Sequence, residues 1–484
     1  MSSIKTRAAS AAWWSTVEIS CRFGVKFIGS VVLARLLLPE DFGLIAMLSI
    51  FTSIGALFVD SGFGTALIQR QDTTKDDETT VFAYNICAGI VSGALLALAA
   101  PWIADFFAQP KLLQLTRAMA LTLPLSALAT VPDALLAIRL DFKSRARAEV
   151  IASLVSSAVA ILLAFQGYGV WSLVWQPMIA LLMRTVMLWH FSGWRPRGRY
   201  SRDSFRGLFG FGGYMLLSGL LGTFVTEMQS LLIGKLFDSR SLGFYSLAQN
   251  TQQAPASFMG SLLNRVGLPV FSAVAADSEK LKLALRSSLQ MAMFLFVPCM
   301  VGIAVVARPL IAQLYGPRWE AAAPILSVLA LSGALWPVHV LNLTALGALG
   351  RSNLFFLLAV IKSFIFIPLI LISARDGPIA IAWAVFVSNV LGGVINTHYS
   401  KRYLGYGVVA QMIDQSATFA MSAAAACVGW AILHWTKPSI LTLIVAISAS
   451  AGAYLSLAIL IQSEALRGLR SAARTVLRPS PKTG

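Results

Sequence analysis

From about residue 11 to about residue 461 the chain alternates long apolar runs with short polar breaks, most runs being roughly 17 to 29 residues long. This is neither the one-sided stripe of a water-soluble amphipathic helix nor the strict alternation of a half-buried strand. At 1.5 Å per residue, ~20 apolar residues match the ~30 Å hydrocarbon core of a bilayer. The runs predict fourteen helices. They are Ala11 to Leu37, Phe42 to Ile68, Val81 to Phe107, Leu113 to Ile138, Val150 to Gln166, Val170 to Phe191, Leu208 to Gly234, Leu242 to Val270, Leu283 to Val306, Ala321 to Leu349, Leu354 to Ile372, Ile379 to His398, Val408 to Leu433 and Ile440 to Ile461. The least regular are Leu113 to Ile138, interrupted by Pro124 and Pro132, and Leu242 to Val270, which carries Gln249, Asn250, Gln252 and Gln253.

Composition agrees with the pattern. Of 484 residues, 57% are apolar and 12% charged, about half the ~25% charge of a soluble domain, and the mean hydropathy is +0.74. A water-soluble enzyme, a disordered chain and a disulfide scaffold are excluded, and the expected fold class is an all-α polytopic membrane protein. The net charge of +17 has a topological meaning before any other, because Lys and Arg concentrate in cytoplasmic loops. When the loops are sorted alternately, 24 of the 38 cations fall on one side and 8 on the other, with 6 inside spans. That bias predicts an even number of spans with both termini in the cytoplasm. Lys5 and Arg7 precede an apolar stretch, Ala8 to Leu38, too long for a signal-peptide core, so it is read as the first retained span.

Chemistry-bearing residues are sparse. Cys21, Cys87, Cys299 and Cys427 lie far apart inside apolar runs and are read as small buried hydrophobes. His190, His339, His398 and His434 form no metal-binding or hydrolytic spacing, and no cofactor is expected. Gly210, Gly212 and Gly213 open a hydrophobic helix and are read as a packing surface rather than a nucleotide fingerprint.

The chain also repeats itself. Arg35 to Leu44 and Lys235 to Phe244 share a pattern at an offset of 200, each being the short outer turn between the first two spans of a half. At an offset of 208, Ala100 to Phe107 resembles Arg308 to Tyr315, Gly169 and Trp175 match Gly377 and Trp383, and Lys143-Ser144 matches Arg351-Ser352. Six spans separate the copies, so the repeats run parallel about an axis along the membrane normal. The division predicted is a six-helix lobe over 1–200, a second over 201–404, two extra helices over 405–464 and a basic cytoplasmic tail over 465–484. Paired bundles of this kind favour a central cavity and alternating access. Prolines inside spans, at Pro124, Pro177, Pro255, Pro298, Pro337 and Pro368, mark candidate bends.

Charges within the spans mark the candidate site. Glu18, Arg22 and Lys26 recur every four residues and share one helix face. A central Arg or Lys costs ~2.5–3.5 kcal/mol on insertion scales, which favours a watery interior over lipid. Lys362 sits near the middle of the eleventh span. Arg184 and Arg265 lie nearer span ends and join the cation set, with snorkelling as the alternative. Glu18, Asp60 and Glu227 are read as ion-coupling or charge-balancing acids, and Asp133 lies closer to the cytoplasmic edge. An interior that leans positive suits a phosphate-bearing or otherwise anionic cargo.

The sequence Ala34-Arg35-Leu36-Leu37-Leu38-Pro39-Glu40-Asp41-Phe42-Gly43, followed by Asp60-Ser61-Gly62-Phe63-Gly64-Thr65-Ala66-Leu67-Ile68-Gln69-Arg70, resembles the Wzx-type polysaccharide transporter family, in its exopolysaccharide and colanic acid-like branch. These are lipid-linked oligosaccharide flippases of the multidrug/oligosaccharidyl-lipid/polysaccharide exporter superfamily. The resemblance implies a multi-pass bacterial inner-membrane protein that moves undecaprenyl-pyrophosphate-linked repeat units for exopolysaccharide or lipopolysaccharide synthesis, driven by an ion gradient and without an ATPase module. It implies two six-helix lobes, a last helix pair forming a lateral groove for the polyprenyl tail, and a cation-lined cavity, a role that Arg22, Lys26 and Lys362 fit by chemistry. Membrane lipids and the pathway's polymerase and export machinery are the other partners implied; nucleic acid is not. A cation-coupled drug antiporter of the same superfamily is the near alternative. A membrane polymerase is disfavoured because no large outer loop is present.

Overall fold

A computed structural model describes residues 24–69, 73–350, 353–461 and 466–467 of the chain. Among these residues the regular structure is helical throughout. Ten segments are long and apolar enough to cross a membrane, and a shorter apolar stretch spans Leu357–Ser373. The protein is therefore a multi-pass helical membrane protein. It divides into two compact units, residues 1–246 and 247–484.

The first unit is built from α1 (residues 24–36), α2 (Pro39–Asp60), α3 (Phe63–Gln69), α4 (Lys75–Phe107), α5 (Lys111–Ala120), α6 (Thr122–Ile138), α7 (Phe142–Phe165), α8 (Val170–Ser192) and α9 (Arg202–Leu236). It also takes in the start of α10 (Ser239–Val274). Several of these helices begin where the sequence supplies a cap. Thr74 and Asp77 form a reciprocal capping box on α4, and Asp141 and Ser201 cap α7 and α9 through the amides of Ser144 and Ser204.

α2 and α3 are one span broken at Ser61 and Gly62, both with positive φ. The fourth span is likewise broken, between α5 and α6, just before Pro124. A proline there cannot donate to the carbonyl of Ala120. α4 closes on the break through two glycines. A Cβ at Gly93 would stand 2.9 Å from the Ala120 carbonyl oxygen, and one at Gly89 would stand 3.0 Å from Pro124 Cα.

The second unit continues from α10 through α11 (Ser278–Leu314), a 3-10 turn (Pro317–Trp319), α12 (Ala322–Gly333), α13 (Trp336–Ala348), α14 (Asn353–Ser373), α15 (Pro378–Leu404), α16 (Val408–Trp435) and α17 (Ile440–Leu460). The break between α12 and α13 again precedes a proline, Pro337, which has no N–H to offer the Gly333 carbonyl. At Pro177, Pro298 and Pro368 the helices run through. The core of this unit gathers Phe271, Leu281, Leu285, Leu289, Met293 and Val297 against Leu341 and Tyr406. α17 is tied to α11 by the Tyr454 hydroxyl, which donates to the Phe294 carbonyl at 2.7 Å.

Large apolar side chains stand open on the outside, among them Trp435 (81% exposed) and Trp102 (72%). Such exposure is untenable in water and ordinary against lipid. The cysteines belong to this surface. Cys87, Cys299 and Cys427 are exposed, not buried as their apolar surroundings suggest, and Cys21 lies outside the described residues. In a bilayer, apolar sequence marks contact with lipid as readily as contact with a core.

Candidate substrate site

Charged side chains from four helices of the first unit converge. Asp133 on α6 receives a two-pronged hydrogen bond from Arg145 on α7, 2.8 Å from Nε to Oδ1 and 3.0 Å from Nη2 to Oδ2. Arg184 on α8 reaches Asp133 at 3.3 Å and Glu149 at 3.2 Å. Lys26 on α1 lies 3.9 Å from the other oxygen of Glu149. Three cations are thus held by two shared carboxylates. The side chain of Lys26 is 61% exposed while that of Glu149 is 17% exposed, so the network is rooted in the unit and reaches its surface at Lys26. Arginine forks and an ammonium in this arrangement suit phosphate oxygens, which can compete with the carboxylates for the same donors.

Arg184 and Lys26 therefore join one cluster. Arg145 and Glu149 were not singled out from sequence because they lie at the end of a span, among loop charges. Their i,i+4 spacing facing Asp133 was the available signal. Arg22 and Glu18 lie outside the described residues, and Arg265 sits on α10 with its side chain outside them. Glu227 on α9 accepts a 2.6 Å hydrogen bond from the Ser49 hydroxyl of α2. Asp60 accepts from the backbone amides of Gly62 and Gly64 and so holds the turn into α3. Lys362 belongs to the second unit, on α14, where its stem lies beside Gly392 of α15.

The two turns that share the sequence pattern at an offset of 200 meet in the first unit. A Cβ at Gly43 would fall inside the Ser239 carbonyl, and one at Gly243 would fall inside the Pro39 carbonyl. The two contacts are reciprocal at the repeat offset of 200, and the third pair at that offset, Glu40 and Arg240, is an ion pair at 3.5 Å. Asp238 caps the start of α10. Burial alone would raise its carboxyl, but hydrogen bonds from the Ser241 hydroxyl and amide outweigh this and hold it below the ordinary carboxylate value.

On the other face of the first unit, the segment after α8 is strapped across the acidic N-terminus of α4. Trp194 Nε1 donates to Glu78 at 2.7 Å, and the amides of Gly198, Arg199 and Ser201 donate to Thr79, Asp76 and Thr80. Arg195 stacks over Trp189.

The second unit contains an apolar cavity of about 380 Å³ bordered by α11, α12, α13, α15 and α16, with Met293, Val338, Phe386, Val394, Met412 and Phe419 in its walls. At its edge Asn342 and Gln411 exchange amide hydrogen bonds of 3.0 and 2.8 Å. Arg286 pairs with Asp414 at 2.6 Å. In the loop before α16, burial pushes the Tyr406 phenol above its usual range, and its hydrogen bond to Asp414 adds to the effect.

A family profile described as polysaccharide biosynthesis protein matches residues 32–324, more than half of the chain. The protein belongs to that family. It is 28% identical over 380 residues to the succinoglycan biosynthesis transport protein ExoT of Rhizobium meliloti, covering 78% of this chain and 77% of the relative. It is 25% identical over 401 residues to the lipopolysaccharide biosynthesis protein WzxC of Escherichia coli, covering 82% and 80%. Among solved structures it superposes on the lipid II flippase MurJ in an inward closed conformation with a TM-score of 0.74 over 94% of this chain and 98% of that one, at 15% identity, a likeness of fold.

Proposed function

We propose that the protein is a flippase that moves undecaprenyl-pyrophosphate-linked oligosaccharide repeat units from the cytoplasmic to the periplasmic leaflet of the bacterial inner membrane. Its cargo serves exopolysaccharide or lipopolysaccharide synthesis, and transport is driven by ion-coupled alternating access. Membership of a polysaccharide biosynthesis family carries this reading, supported by relatives named for the transport and biosynthesis of such polymers. The drug-antiporter alternative is not favoured.

The diphosphate docks on the cation network of Lys26, Arg145 and Arg184 and displaces Asp133 and Glu149 from their partners; Arg22 and Lys362 are further cations for an anionic cargo. Arg265 adds to the positive lining. Glu18, Asp60 and Glu227 balance charge or take part in ion coupling. The glycan follows through a hydrated interior while the polyprenyl tail stays in lipid beside α16 and α17. The chain is organised as six plus six plus two spans with both termini in the cytoplasm, and it works alongside the polymerase and export machinery of its pathway. No catalytic role is assigned to it. Deletion in the native host tests the proposal: lipid-linked repeat units should accumulate on the cytoplasmic face, and undiminished polymer export would overturn it.

A further inference from the structure

The second unit holds a polar group that the ion network of the first does not account for. His339 lies on α13, Lys362 on α14 and Asn396 on α15. They meet over a glycine: a Cβ at Gly392 would stand 3.2 Å from Lys362 Cδ and 3.3 Å from His339 Cε1. Asn396 is fully buried, and its Nδ2 lies 3.3 Å from His339 Nδ1. An amide NH2 can only donate, so this contact makes Nδ1 the acceptor and leaves the ring proton on Nε2. Nε2 is itself buried without a hydrogen-bond partner, and so is Asn396 Oδ1. Lys362 forms no ion pair or hydrogen bond with a described residue. The Asn389 backbone carbonyl faces the ring, but among the described residues no negative charge does. A ring N–H and an ammonium therefore stand over the same glycine with no anionic partner, an unfavourable arrangement in a low dielectric unless an anion completes it.

Asn396 also provides for a second protonation state. When its amide turns over, the idle Oδ1 accepts from a protonated Nδ1, and the imidazolium is held as well as the neutral ring was. Few charges face this point. α14 brings Lys362, and α15 brings the neutral Asn389 and Asn396. α11 packs on α13 through Leu289, Met293 and Val297 and keeps Arg286 on Asp414. α16 presents Gln411, paired with Asn342. Lys362 opposes a second positive charge in the empty site, and an anion reverses that opposition.

We propose that His339, Lys362 and Asn396 form a proton-linked anion site, in which an acidic group docks on the ammonium and the imidazole while His339 Nδ1 takes up one proton from water. The inference rests on the flippase reading and deepens it. The acidic group is either the diphosphate of the cargo or a carboxylate of its glycan. A diphosphate diester has two negative charges, which Lys362 and protonated His339 match, so the loaded site has no net charge to move through a low-dielectric interior. Linkage is reciprocal: the proton tightens the anion as much as the anion tightens the proton.

The test uses the purified full-length protein in lipid nanodiscs, with symmetrical dimethyl diphosphate as the probe, a diester whose own charge is constant near neutral pH. Titration calorimetry in buffers of different ionisation enthalpy counts the protons bound with each anion. The native protein should take up close to one proton, and its affinity should fall about tenfold per pH unit once the pH exceeds the imidazole range. His339→Gln should abolish both effects, and Lys362→Gln should weaken binding at every pH. A heat independent of buffer in the native protein overturns the proposal without any variant, as does uptake that persists in His339→Gln. A glucuronate-bearing oligosaccharide lacking diphosphate forms the second arm. Proton-linked binding of either probe alone supports the site and names the source of the acid, while none with either probe overturns it. Intact polymer export on gene deletion would sink the flippase reading and leave the calorimetry standing; missing proton uptake would sink this site alone.

Discussion

Gly43→Ala is the most incisive perturbation the structure offers. The added methyl occupies the position of the Ser239 carbonyl, whereas carbon and oxygen atoms in contact need more than about 3 Å. The N-termini of α2 and α10 must therefore part by at least about 1 Å, which also stretches the 3.5 Å pair of Glu40 and Arg240. That pair is half-exposed and contributes no more than ~1 kcal/mol. The larger share comes from overpacking, about 1–3 kcal/mol. If the clasp closes the outer mouth, the equilibrium shifts toward opening by roughly 5- to 150-fold. Gly243→Ala should behave alike, because its methyl meets the Pro39 carbonyl in the same way. The assay is labelling of a single cysteine at Leu38 by a membrane-impermeant maleimide in intact cells, together with polymer output. Labelling should rise and export should fall in both variants at normal membrane levels. Unchanged labelling in both would refute the reasoning.

Asp133→Asn should release Arg145 and Arg184 together. The loss should be about 2 kcal/mol, between the ~0–1 of an exposed pair and the ~3–5 of a buried one, and it should appear as a lower melting temperature of the purified protein with reduced export. Asn342→Leu strands the Gln411 amide oxygen, while Gln411 Nε2 keeps the Tyr406 carbonyl, and should cost about 1–3 kcal/mol, whereas the double variant with Gln411→Leu should recover part of that in a thermal-unfolding cycle. Asp238 has a lowered carboxyl, so its capping of α10 is fully present above the ordinary carboxylate value and is lost as the pH falls through the lowered one. Protection of the Ser241 amide against hydrogen exchange should fall in that window and should be low at all pH values in Asp238→Ala.

The apolar periodicity was enough to lay out the spans, because a bilayer imposes both length and composition on each helix. The breaks before Pro124 and Pro337 were legible as proline positions, but the glycines of α4 that close on the first break were not, since nothing local links Gly89 and Gly93 to Ala120 and Pro124. The repeat singled out the turns at residues 35–44 and 235–244 without revealing that they touch each other. Burial was the weakest inference: Cys87, Cys299 and Cys427 sit in apolar runs yet face outward. At the site, Lys26 was recognisable as a cation deep in a span, whereas Arg184, nearer a span end, could equally have snorkelled to the interface. Their partner Glu149 was hidden at a span end, where charge density looks like an ordinary loop. His339 gave no signal at all, because its meaning depends on Asn396, 57 residues away.

The strap from Trp194 to Ser201 bears on how force travels through the molecule. A segment joining two helices is often slack, yet this one, between α8 and α9, is pinned to the first turns of α4 by four hydrogen bonds. α9 cannot swing without loading α4, so the segment between α8 and α9 serves as a fulcrum rather than a tether. Its position along the chain fixes where the lever arm of α9 begins. Lengthening the strap by a few flexible residues would leave the first unit folded and let α9 move without loading α4.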